Sequence, residues 1–143
     1  MDNDYIKTLS YDEKLIFIKV LCCLIRADGV VDASELEFLK AIAIHFDIDI
    51  NLIVDIAKSA ANIDYVREAA HITNRRHALE LIKELCVLAN VDEKLDDAEL
   101  DVIINTAEAM GIEEDKIVLI NRWVLDSLVL NKAGRIIMEA DNG

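Results

Sequence analysis

Asp28-Gly29-Val30-Val31-Asp32-Ala33-Ser34-Glu35 separates two apolar runs, and 64 residues later Asp92-Glu93-Lys94-Leu95-Asp96-Asp97-Ala98-Glu99 repeats its acidic pattern. Each octet carries carboxylates at its first, fifth and eighth positions. The flanking segments place apolar residues at helical spacing. Each octet therefore reads as the loop of a helix–loop–helix unit.

The correspondence extends outward from the loops. Ile18-Lys19-Val20-Leu21-Cys22 falls on Ile82-Lys83-Glu84-Leu85-Cys86, and Leu24 on Leu88. Beyond the loops, Leu39 falls on Ile103, Ala43 on Ala107, and Asp47-Ile48 on Gly111-Ile112. Gly111 accepts the left-handed conformation that ends a helix, and Asp tolerates it better than most residues. Two units, about residues 12–48 and 76–112 of a single domain spanning 1–143, are expected to share one core. A pseudo-twofold pair would bring the acidic loops near one another.

The rest of the chain agrees with an all-α fold. There is no proline, and glycine stands only at positions 29, 111, 134 and 143, which leaves long stretches free to be helical. Ser10-Tyr11-Asp12-Glu13 has the form of a capping box, so the first long helix starts there and Gly29 stops it. That helix is apolar nearly all round, with Asp12, Lys19 and Arg26 on one polar stripe, and is expected at the centre. A second helix over 33–46 turns Leu36, Leu39, Ala43 and Phe46 inward and keeps Glu35, Glu37 and Lys40 wet. Asp49 caps a third, and a short piece follows near 65–70. Thr73 or Asn74 caps the next, running to about Asn90, and another follows the second loop. A last helix begins at Glu113-Glu114, faces Ile117, Ile120, Val124 and Leu128 inward, and ends or bends at 131–134.

Fifteen Lys and Arg against 28 Asp and Glu give a net charge of −13, which argues against nucleic acid or anionic lipid as the main partner. A cation or a basic protein surface fits better. No apolar run reaches the roughly 20 residues of a membrane span, so direct membrane insertion is not expected. The N-terminus lacks the basic and apolar regions of a secretion signal, so a cytoplasmic location is expected. Cys22, Cys23 and Cys86 lie in apolar runs without the paired spacing of a zinc site or disulfide framework, and read as buried thiols.

Loop carboxylates invite a hard divalent cation of the Ca²⁺, Mg²⁺ or Mn²⁺ class, which prefers oxygen ligands. The candidate ligands are Asp28, Asp32, Glu35, Asp92, Asp96 and Glu99. Their spacing is not that of an EF-hand, and no histidine or cysteine accompanies them as zinc would prefer. Four of the six have a second explanation, because Asp32-x-x-Glu35 and Asp96-x-x-Glu99 are also helix-starting capping pairs. Capping does not account for Asp28 and Asp92, which follow helix C-termini where negative charge opposes the macrodipole. Both readings of the loops stand at this level.

Ala27-Asp28-Gly29-Val30-Val31-Asp32-x-x-Glu35 after an apolar helix, with the related Asp92-x-x-x-Asp96-x-x-Glu99, resembles the TerB family associated with tellurite resistance, over roughly residues 12 to 130. The resemblance implies an all-α domain of about seven helices. It further implies metal-chelating loop acids and a place in bacterial stress-response or membrane-linked complexes. The second motif departs from the first, with Glu93 in place of glycine and Asn90-Val91 in place of Arg26-Ala27.

No catalytic constellation emerges. His45, His71 and His77 lack metal-partner spacing, Ser34 and Ser59 lack a nucleophile's setting, and there is no glycine-rich phosphate loop. Trp123 reads as a core or groove residue, and Arg76 with Glu80 as a helix-surface ion pair. The expectation is a non-enzymatic acidic domain that binds a divalent cation through its loops and acts as a stress-response interaction module with a protein partner. The alternatives are a metal-independent adaptor for a basic protein surface and, less favoured, a metal-dependent hydrolase.

Overall fold

The structure, a computed structural model, describes residues 4–27, 33–91 and 95–141. Among them are seven α-helices: α1 (Tyr11–Arg26), α2 (Ala33–Phe46), α3 (Ile50–Lys58), α4 (Tyr65–Ala69), α5 (Arg75–Asn90), α6 (Asp97–Ala109) and α7 (Glu114–Asp141). Short 3₁₀ helices at Asp4–Thr8 and Ala60–Asn62 complete the described elements, none of which is a strand. None of these helices is long and apolar enough to cross a membrane.

The caps follow the sequence. Ser10 accepts from the Glu13 N–H at 3.1 Å while Glu13 Oε1 accepts from the Ser10 N–H at 3.1 Å, closing the capping box of α1. Asp49 caps α3, Asn74 caps α5 and Asp96 caps α6 through side-chain oxygens. Asp47 (φ 54°) and Gly111 (φ 72°) both take the left-handed conformation after α2 and α6. In each case the next residue's N–H reaches back to the helix, Ile48 to Ala43 O at 3.0 Å and Ile112 to Ala107 O at 2.8 Å. This is the bonding of a Schellman cap.

α1 and α5 form the centre. α1 buries Ile16 to Ile25 apart from Lys19, and packs against α3, α4, α5 and α6. α5 packs against α1, α6 and α7, with Leu81, Ile82, Leu85 and Cys86 fully inside. Phe17 joins this core to the chain's start and to the end of α2, with its ring 6.1 Å from Tyr5 and 6.0 Å from Phe46.

Three expectations need correction. α2 buries Glu35, Leu39, Ile42, Ala43 and Phe46, so the core stripe begins one residue earlier than Leu36, which is 45% exposed. Glu35 is thus not on the wet face: it sits one turn before Leu39 on the buried stripe, 3% exposed. Finally, α7 does not end or bend at 131–134 but runs through Gly134 to Asp141. A lone glycine costs a helix only about 1 kcal/mol relative to alanine, and with no proline nearby the hydrogen-bonded ladder continues. The stop expected at Gly29 lies outside the described residues.

Candidate functional site

Of the six candidate ligands, Asp28, Asp32 and Asp92 lie outside the described residues, and Glu35, Asp96 and Glu99 lie within them. Asp96 spends one oxygen as a cap, accepting from the Glu99 N–H at 2.8 Å. Glu99, like Glu35, is 3% exposed. The two acids occupy the same place in their helices, one turn before the buried Leu39 and Ile103. Spacing had assigned that stripe position in α2 to an apolar residue. Among the described residues no group of three or more His, Cys, Asp or Glu side chains is arranged to hold a metal ion.

Two apolar clefts lie beside α2 and α6. One, of about 230 Å³, is lined by residues including Cys22, Leu36, Leu39, Ile53, Val54 and Lys58. The other, of about 240 Å³, is lined by residues including Cys86, Leu100, Ile103, Ile117, Val118 and Arg122. Each named residue of the second stands 64 positions after its counterpart in the first. Ile53-Val54 of the first lie in α3, and Ile117-Val118 of the second in the first turns of α7. The signal was present in the sequence as Ile-Val followed four residues later by a cation, but α3 and α7 differ so much in length that it is easily passed over. Burial pushes both cleft thiols up to about 12, so neither is a ready nucleophile.

A second polar cluster, which the sequence did not reveal, lies at the other end of α5. Lys83 Nζ sits 2.7 Å from Glu80 Oε2, 3.5 Å from Glu84 Oε1 and 4.5 Å from the centre of the Tyr5 ring. Tyr5 donates to Glu84 Oε1 at 2.9 Å, and Arg76 holds Glu80 Oε1 at 3.0 Å. Burial, then the Glu84 charge, drives the Tyr5 pKa well above its ordinary value. Beside this group His77 bridges two elements, with Nδ1 2.7 Å from Glu13 Oε2 and Nε2 2.9 Å from Thr8 Oγ1. Thr8 commits its hydroxyl hydrogen to Tyr5 O at 2.6 Å and so accepts from the ring. Both His77 nitrogens thus lie within hydrogen-bond distance of side-chain oxygens, which fixes the ring between α1 and the chain's start. Burial works upward on Glu13, but the Ser10 N–H and His77 outweigh it and lower its pKa.

The cluster around Lys83 sets Glu80 and Glu84 against Arg76 and Lys83, and together with the His77 bridge it fastens residues 4–8 to α5. Its charges are already matched within the protein, so its chemistry is that of a clasp. The acids at the starts of α2 and α6 remain the candidate site. No family model, curated protein or solved structure matches the chain.

Proposed function

We propose that the chain is a non-enzymatic module of the TerB type that binds a divalent cation through the acids of its two loops and serves as a stress-response interaction domain. The observation that supports this is the burial of Glu35 and Glu99, 64 residues apart, each on the core stripe of its helix. Hard divalent cations take carboxylate oxygens as ligands, and these two stand at equivalent places at the starts of α2 and α6. A cation would be held by oxygens of Glu35 and Glu99 together with Asp28, Asp32, Asp92 and the uncommitted oxygen of Asp96. Bound there, it would offset the mutual repulsion of the loop acids and tie the start of each second helix to the end of the first.

The matched clefts support a further part of this reading, in which the two helix–loop–helix units are related by a pseudo-twofold axis with their loops at one end. The test is thermal unfolding of chelator-treated protein with added Ca²⁺, Mg²⁺ or Mn²⁺. A site occupied at a hundred times its Kd stabilises by about 2.7 kcal/mol. Glu35→Gln with Glu99→Gln is expected to abolish the cation-dependent rise in Tm. A melting curve indifferent to all three ions and to chelator would overturn cation binding and leave the acidic adaptor as the better account.

A further inference from the structure

We propose that the cleft enclosed by the start of the chain, α2, α5 and α7 binds a small organic ammonium ion with an apolar body, held at its charged end by Glu84. Glu84 lies on α5 and is 6% exposed. Its Oε1 accepts from the Tyr5 hydroxyl at 2.9 Å and stands 3.5 Å from Lys83 Nζ. Lys83 sits closer to Glu80, at 2.7 Å. Among the described residues no hydrogen bond or ion pair engages Glu84 Oε2. Nor is that oxygen sealed inside the protein, as Glu80 Oε2 and Thr106 Oγ1 are, and Glu84 lines the cleft, so the cleft is its way out. A nearly buried carboxylate oxygen without a partner is an acceptor that a ligand can satisfy.

The walls select the rest of the ligand. Ile6, Phe38, Ile42, Val87 and Leu128 make them mostly apolar, and the cleft measures about 240 Å³. A cavity of roughly 150 Å³ admits benzene, and pockets for drug-sized ligands begin near about 300 Å³. The cleft therefore suits a single ring or a short branched chain. The unbranched stem of a lysine side chain is slimmer and would leave part of it unfilled.

The charge follows from the acceptor. A carboxylate oxygen calls for a donor, and a charged N–H donor makes the stronger bond. The net charge of −13 draws cations and opposes an anionic ligand. An ammonium group has three hydrogens to place, and Ser127 and Asn131, one turn apart on α7, bring further side-chain oxygens to the same cleft. A hard metal ion would need several oxygens around it, whereas Glu84 is the only carboxylate among the described lining residues.

Titration of the isotope-labelled full chain with 2-phenylethylammonium, followed by amide chemical shifts, tests this. EDTA in the buffer makes the outcome independent of any cation at the loops. Saturable shifts are expected at Ala41, Val87 and Leu128, with a Kd on the order of 1 mM, ordinary for a ligand of this size. The anion 3-phenylpropionate, of similar shape, is expected to give none. Glu84→Gln should weaken binding about tenfold by removing the charge. Ala41→Phe, at an exposed lining position outside the clasp, should abolish binding with an unchanged circular dichroism spectrum. Absence of saturable shifts at these amides overturns the proposal, as does equal binding of the anion. Binding that survives Ala41→Phe, or is unchanged in Glu84→Gln, also overturns it. Butylammonium binding as tightly as 2-phenylethylammonium would assign the cleft to a lysine side chain and overturn the small-molecule site.

Discussion

Glu13 shows how one side chain can serve two elements. One of its oxygens closes the α1 cap and the other holds His77 on α5. Because its pKa is lowered in the fold, its contribution is fully present above the ordinary carboxylate value, about 4.3, and is lost as pH falls through the lower folded value. Glu13→Gln is therefore expected to destabilise the protein at pH 7 and to converge with wild type in acid. Urea unfolding across pH 7 to pH 3 checks this, and a constant gap between the two proteins would count against it. The capping half of this arrangement was legible in Ser10-x-x-Glu13. The His77 half was not, since 64 positions separate the partners and no local spacing encodes a contact between helices. The same limit hid Tyr5, Lys83 and Glu84. Glu35 was misplaced for a different reason: an acid at the phase of a buried stripe looks like a wet-face residue until the phase is fixed by Leu39, Ile42 and Phe46.

At the scale of elements, helix starts and stops were the most readable features, because caps act within a few residues of the groups they satisfy. Asp47 and Gly111 make the point in parallel, each ending its helix with a left-handed residue. They are not equivalent energetically. Asp47 bears the strain of a side chain at positive φ and places a negative charge at a helix C-terminus. Asp47→Gly is expected to raise stability by about 0.5 to 1 kcal/mol despite the added freedom of the unfolded chain. Chemical denaturation checks it; a loss of stability would mean that the Asp47 carboxylate does more than close the turn. α7 was read correctly at its start and wrongly at its end, because a single glycine weakens a helix without supplying a stop.

Over the whole molecule, the all-helical class followed from the missing prolines and sparse glycines, and the central position of α1 from its nearly continuous apolar surface. What the chain could not disclose was which apolar surfaces would remain uncovered. Apolar positions around α7 predict burial on every side, yet folding covers only one. That outcome depends on how many helices reach α7, a property of packing and not of the α7 sequence.

The single tryptophan of the chain, Trp123, lies on that uncovered side, 52% exposed, beside Leu79, Lys83, Lys116 and Leu119. The indole is therefore a built-in optical gauge of the outer surface of α7. Its emission should sit toward the red in dilute protein and move to the blue, with reduced quenching by iodide, whenever an apolar surface closes over it. Unlabelled protein thus carries its own readout for any condition that changes what covers α7.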